Sequence, residues 1–125
     1  MRNRFVFLAV FLFLFVLHVL GGNRIYFIKD SLKFALWEGD SSVVVMDVSP
    51  AVRLPVSGDS TLVIPASVTL EGRDYRVEGV EEYAFCNHPE VRHLIVSEGV
   101  WSIRGDAFQR CLNLESVHLP VSLGF

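Results

Sequence analysis

A chain of 125 residues with a net charge of −3 has room for one domain, and its five prolines and nine glycines are an ordinary share. The two cysteines are too few for a disulfide scaffold or a structural zinc site. With Arg2 and Arg4 removed the charge falls to −5, and no basic cluster remains, so a phosphate backbone is a poor partner.

Half of the residues are hydrophobic, but the excess is local. From Phe5 to Leu20 every position except His18 is apolar, and five of the ten phenylalanines sit there. Arg2 and Arg4 precede the run, and Gly21-Gly22 follow it with the small side chains that a signal peptidase requires. As a helix the run would be about 24 Å long at 1.5 Å per residue, short for a hydrocarbon core about 30 Å thick. Residues 1–22 therefore read as a signal peptide, with an uncleaved anchor as the alternative. Any association with a membrane goes through this segment.

Next along the chain, Leu32–Trp37 alternates imperfectly, Gly39-Asp40-Ser41-Ser42 reads as a turn, and Val43–Val48 is β-branched. Residues 23–56 are expected to form a β cap carrying this hairpin. Further on, Val68-Thr69-Leu70 and Tyr75-Arg76-Val77 flank Glu71-Gly72-Arg73-Asp74. They predict a second hairpin, inserted at 68–77.

The remainder repeats. Val80-Glu81-Glu82-Tyr83-Ala84-Phe85 returns as Ile103-Arg104-Gly105-Asp106-Ala107-Phe108, at an offset of 23. The same offset carries Val91 onto Leu114, Leu94 onto Val117, Val96 onto Leu119 and Val100 onto Leu123. Each unit holds the spacing L-x-x-L-x-L, and such repeats run at roughly 20–29 residues. Leu62-Val63-Ile64-Pro65-Ala66-Ser67 matches Val117–Ser122 as an earlier, degenerate copy. One coil cannot bury its own apolar edge, so stacking must place Phe85 over Phe108 and Leu94 over Val117. The fold class expected is a leucine-rich repeat solenoid, β-rich with short helical turns. It would hold about two and a half coils, with a period of 23, over 57–125 and behind the amino-terminal β-hairpin cap.

At Ile103, Ala107, Phe108, Cys111, Leu114, Val117, Leu119, Pro120, Ser122 and Leu123 the chain resembles the BspA-type leucine-rich repeat family. In the unit before, His88 takes that family's Cys position and Cys86 lies two places earlier. The resemblance implies a secreted or surface-exposed bacterial protein (the periplasm being the alternative) that adheres to proteins of a host or a neighbouring cell. The family pattern would continue after Leu123. The expectation is a truncated member, incomplete at the carboxy terminus, whose uncapped last coil self-associates.

With Val91, Leu94 and Val96 inward, alternation turns His93 and Ile95 outward, beside Arg92. Glu115, Ser116 and His118 take those places in the following coil, and Ser60 and Val63 in the preceding one. These eight residues are the candidate partner-binding surface, and Arg92 with Glu115 can pair across it.

No catalytic constellation, metal set or cofactor motif is legible. There is no G-x-G-x-x-G, H-E-x-x-H or C-x-x-C, and the four histidines read as surface residues or, for His18, as part of the leader. Cys86 and Cys111 sit two positions out of repeat register, too far apart for a relaxed bridge. The reading is an exported, non-catalytic protein-binding or adhesion module without cofactor, metal or nucleic acid. The alternative is a degenerate repeat fragment with a structural role or no activity of its own.

Overall fold

The computed structural model describes residues 24–46 and 54–124. The leader expected over 1–22 lies outside the described residues, as does the Asp47-Val48 end of the β-branched run.

Two sheets enclose the core. The first begins with β1 (Arg24–Lys29) and β2 (Leu32–Trp37), paired antiparallel from Arg24↔Trp37 to Lys29↔Leu32. Asp30 and Ser31 connect them with φ of 50° and 63°. This two-residue turn has the left-handed backbone that matches the twist of a tight hairpin. It lacks the glycine that usually marks such a turn, which leaves β1 without a signal in the sequence. β3 (Ser42–Met46) returns antiparallel to β2, with Phe34 opposite Val45 and Ala35 opposite Val44.

β3 then pairs parallel with β6 (Arg73–Val80), which joins the amino-terminal strands to the repeat units in one sheet. β5 (Ser67–Leu70) pairs antiparallel with the first half of β6. The turn between them is only Glu71-Gly72, at φ of 50° and 77°. Arg73 and Asp74, expected in that turn, instead belong to β6 and pair with Leu70 and Thr69. β8 (Ser102–Ile103) extends the sheet parallel to the second half of β6.

The second sheet is a parallel stack of β4 (Thr61–Ile64), β7 (His93–Val96) and β9 (Ser116–His118). Thr61 aligns with His93, and His93 with Ser116. The second step is one repeat unit, while the first is longer because β5 and the turn into β6 are inserted between the units.

Side chains from both sheets meet between them. Leu62, Ile64, Val77, Val80, Phe85, Val91, Val96 and Val100 are all fully buried. Phe85 and Phe108 stack with ring centroids 5.2 Å apart and planes 10° apart.

The segments carrying Ala-Phe are turns, which corrects the expected helical turns; no helix occurs among the described residues. Short i→i+3 bonds form, Ala84 N to Glu81 O at 3.2 Å and Cys86 N to Tyr83 O at 3.1 Å, and their counterparts recur from Ala107 and Gln109. However, Tyr83, Asn87, Asp106 and Arg110 have φ near 60°, and a right-handed helix cannot continue through them. The intervening amides point to the neighbouring coil instead. Phe85 N donates to Ala107 O at 2.8 Å and Asn87 N to Gln109 O at 3.0 Å. Hydrogen bonds between coils thus replace those that a helix would make within itself.

His88 is also corrected. It is not a surface residue but 8% exposed, edge-on to Phe85, with Nδ1 2.7 Å from Glu90 Oε1. It fills the inward place that Cys111 takes in the next unit, and Glu90 supplies the polar partner that a buried imidazole requires.

Candidate recognition face

The outer face of β4, β7 and β9 is built by backbone registration. Ser60, at φ 63°, closes a turn in which its amide donates to Ser57 O at 2.9 Å. Its carbonyl then accepts both Arg92 N (3.0 Å) and His93 N (3.1 Å). The carbonyl of Arg92 repeats this, accepting Glu115 N at 2.7 Å and Ser116 N at 3.3 Å. One carbonyl accepting two successive amides therefore sets the start of β7 and again of β9, and Ser60, Arg92 and Glu115 fall in one line.

Two rows follow. Thr61, His93 and Ser116 form the first, and Val63, Ile95 and His118 the second. All eight expected residues belong to this one face or to the turn that starts it.

The polar half of the face is internally paired. Arg92 donates through Nε to Glu115 Oε1 at 3.1 Å and also through a terminal nitrogen. His93 Nδ1 lies 2.7 Å from Ser116 Oγ, and its Nε2 is 3.9 Å from Glu115 Oε2. The hydrogen bond from Arg92 holds the Glu115 carboxyl below its ordinary 4.5, its charge and that of His93 adding to this. At the start of β4, the hydroxyls of Ser57 and Thr61 lower Asp59 in the same way.

The other half offers hydrocarbon. Val63 is 47% exposed and Ile95 40%, side by side across the parallel pair and continued by His118. At the edge, Arg92, Leu114 and Glu115 border a shallow cavity of ≈ 450 Å³.

On this face Ser116, His93 and Glu115 are neighbours, with His93 between the hydroxyl and the carboxylate. His93 and His118 stand in different rows. Among the described residues no group of three or more His, Cys, Asp or Glu is placed to hold a metal. Both cysteines are free thiols. Cys111 donates to Phe85 O at 3.1 Å, and burial pushes its pKa above the ordinary 9.0.

A second concave region, to which the repeat pattern assigns no role, lies on the outer face of the six-stranded sheet, and both tryptophans stand beside it. Trp37 and Trp101 fall outside the period of 23, so repeat register does not bring them together.

No family model matches the chain, and neither does any curated protein. Solved structures do. A leucine-rich repeat protein from Bacteroides capillosus is similar, at 28% identity and a TM-score of 0.67, over 78% of this chain and 67% of that one. A leucine-rich repeat protein from Bacteroides ovatus gives 23% identity and a TM-score of 0.65, over 78% of this chain and 24% of that one. A leucine-rich cell surface protein from Faecalibacterium prausnitzii gives 22% and 0.59, over 74% of this chain and 23% of that one. The chain thus spans about a quarter of the length of the latter two. With its parallel strand stacks and regular coil-to-coil register, this chain has the leucine-rich repeat fold of these bacterial proteins.

Proposed function

We propose that the chain is an exported, non-catalytic module of the BspA type that binds a protein on the surface of a host or neighbouring cell. The outer face of β4, β7 and β9 is its docking surface. One observation carries this reading: Val63 and Ile95 are exposed side by side, while the charged groups beside them already satisfy one another. Hydrocarbon without unpaired charge favours a protein surface, because docking there leaves no ion desolvated and unpartnered. The leader-like segment over 1–22 supports export, and the cell surface description of the Faecalibacterium relative agrees with it. On the far side of β9, Val117 and Leu119 are about half exposed, and we assign this edge to stacking against a second copy.

The test is binding of the full-length chain to whole cells, with and without prior protease treatment of the cells. Val63→Asp combined with Ile95→Asp should abolish a protease-sensitive signal. Unchanged binding by that variant, or binding that survives protease treatment, would overturn the reading. Sedimentation of Leu119→Glu against the wild type tests the second copy. Equal behaviour at all concentrations counts against it.

A further inference from the structure

The outer face of the six-stranded sheet carries a trough of ≈ 150 Å³. Its floor follows from register. Ala35 pairs with Val44, Val44 with Gly79, and Gly79 with Ser102, so four small residues line up across β2, β3, β6 and β8. The bulge between Val43 and Val44 sets this row, since it admits Glu78 as an extra residue and brings Gly79 opposite Val44. A side chain at Gly79 would not fit freely, because its Cβ would lie 3.1 Å from Ser102 O.

Trp37, at the end of β2, and Trp101, just before β8, flank this floor, 51% and 55% exposed. Three strand steps separate their strands, about 14 Å at ~4.8 Å per step. They are the chain's only tryptophans. Between them lie polar groups of both kinds. Glu78 accepts from Ser42 Oγ at 3.0 Å. Glu81 faces Arg24 at 3.3 Å and Arg104 at 3.6 Å, the latter beyond a good hydrogen bond. Arg24 Nε is a buried donor without a partner among the described residues.

We propose that this trough binds a neutral oligosaccharide. Two arginines and two glutamates cancel in charge, which disfavours polyanions and cations alike. Sugar hydroxyls both donate and accept, so they match carboxylates and guanidinium groups set side by side. The C–H faces of the rings meet the electron-rich face of an indole, at Trp101 and at Trp37, over whose ring the Arg24 guanidinium also lies, 5.6 Å from the centroid. Within the row each strand is already hydrogen-bonded to the next, so a peptide lying on the floor between the tryptophans finds no backbone edge to extend. This face is separate from the proposed protein-docking surface, and neither proposal depends on the other.

Because Trp37 and Trp101 are the whole indole signal, fluorescence titration reports on the trough directly. The full-length chain, in a detergent without a sugar head group, is titrated with maltohexaose, cellohexaose and xylohexaose. Polysialic acid and a proline-rich peptide are the comparison ligands. We expect a saturable emission change with at least one neutral oligosaccharide. Trp37→Ala and Trp101→Ala should each weaken that binding about tenfold, the scale of one aromatic contact. Glu78→Gln should weaken it too while leaving both indoles in place, with circular dichroism verifying the fold of each variant. Three outcomes would overturn the proposal: no change with any neutral oligosaccharide at millimolar concentration, binding of only the acidic polymer or the peptide, or full affinity in the folded variants.

Discussion

The rings of Phe85 and Phe108 lie nearly flat on each other, 5.2 Å between centroids, although they belong to successive coils. Phe85 is fully buried and Phe108 only partly. An inner ring therefore loses contacts on more sides when it is removed. Phe85→Ala should cost about 3–5 kcal/mol, and Phe108→Ala clearly less, since the cost grows with the cavity left behind. Urea denaturation of the two variants measures this, and the reverse order would contradict the stacked arrangement.

Ser122 ties adjacent coils with a single hydroxyl. Its Oγ accepts from Gly99 N at 3.0 Å and donates to Val100 O at 2.9 Å. Ser122→Ala should lose about 0.5–1.5 kcal/mol, whereas Ser122→Thr, which keeps the hydroxyl, should lose less. Equal midpoints for the alanine variant and the wild type would show that water replaces both bonds without loss.

Gly99 itself has φ of 98°, with no atom within 4 Å of where a Cβ would stand. Gly99→Ala should then cost about 1 kcal/mol through backbone conformation alone, with no collision involved. A neutral alanine variant in the same denaturation series would mean that this turn relaxes freely.

The bond between Arg92 and Glu115 has a definite pH signature. The folded state holds the Glu115 carboxyl below its ordinary 4.5, so the unfolded chain binds the proton more tightly. The contribution is present in full above that value and disappears as the pH falls through the lower, folded one. The stability gap between wild type and Glu115→Gln should accordingly shrink on acidification from neutral to about pH 3. Asp59, lowered by the Ser57 hydroxyl, adds acid sensitivity of the same sign that both proteins retain. A gap independent of pH would remove the pair from the account.

Cys111 should react slowly. Burial raises its pKa, and its thiol donates to Phe85 O, so little thiolate is available at neutral pH. Iodoacetamide should label it slowly in the native chain and rapidly in urea, where both cysteines react. Fast native labelling at Cys111, located by peptide mass, would be inconsistent with its half-buried place.

The inward set Leu62, Ile64, Leu94 and Val96 was legible because alternation and the fixed offset both point to the same residues. The pairing of Arg92 with Glu115 was legible for the same reason, since equivalent positions in stacked coils are neighbours. The turns at Tyr83 and Asp106 were not, because their left-handed φ belongs to ordinary residues and no glycine marks it. Nor was the burial of His88, because a polar side chain reads as exposed until a partner for it is known, and Glu90 becomes that partner only in three dimensions.

The amino-acid sequence by itself determined the repeat length, the apolar residues of the repeats that face the core and the line-up of one coil on the next. Each of these is written in side-chain types recurring at a fixed interval. Only the tertiary structure decided that β3 joins β6, and with it that Trp37 and Trp101 flank one trough. That junction consists of backbone hydrogen bonds between segments of unlike sequence. Every residue type but proline supplies both partners of such bonds, so they leave no pattern to read.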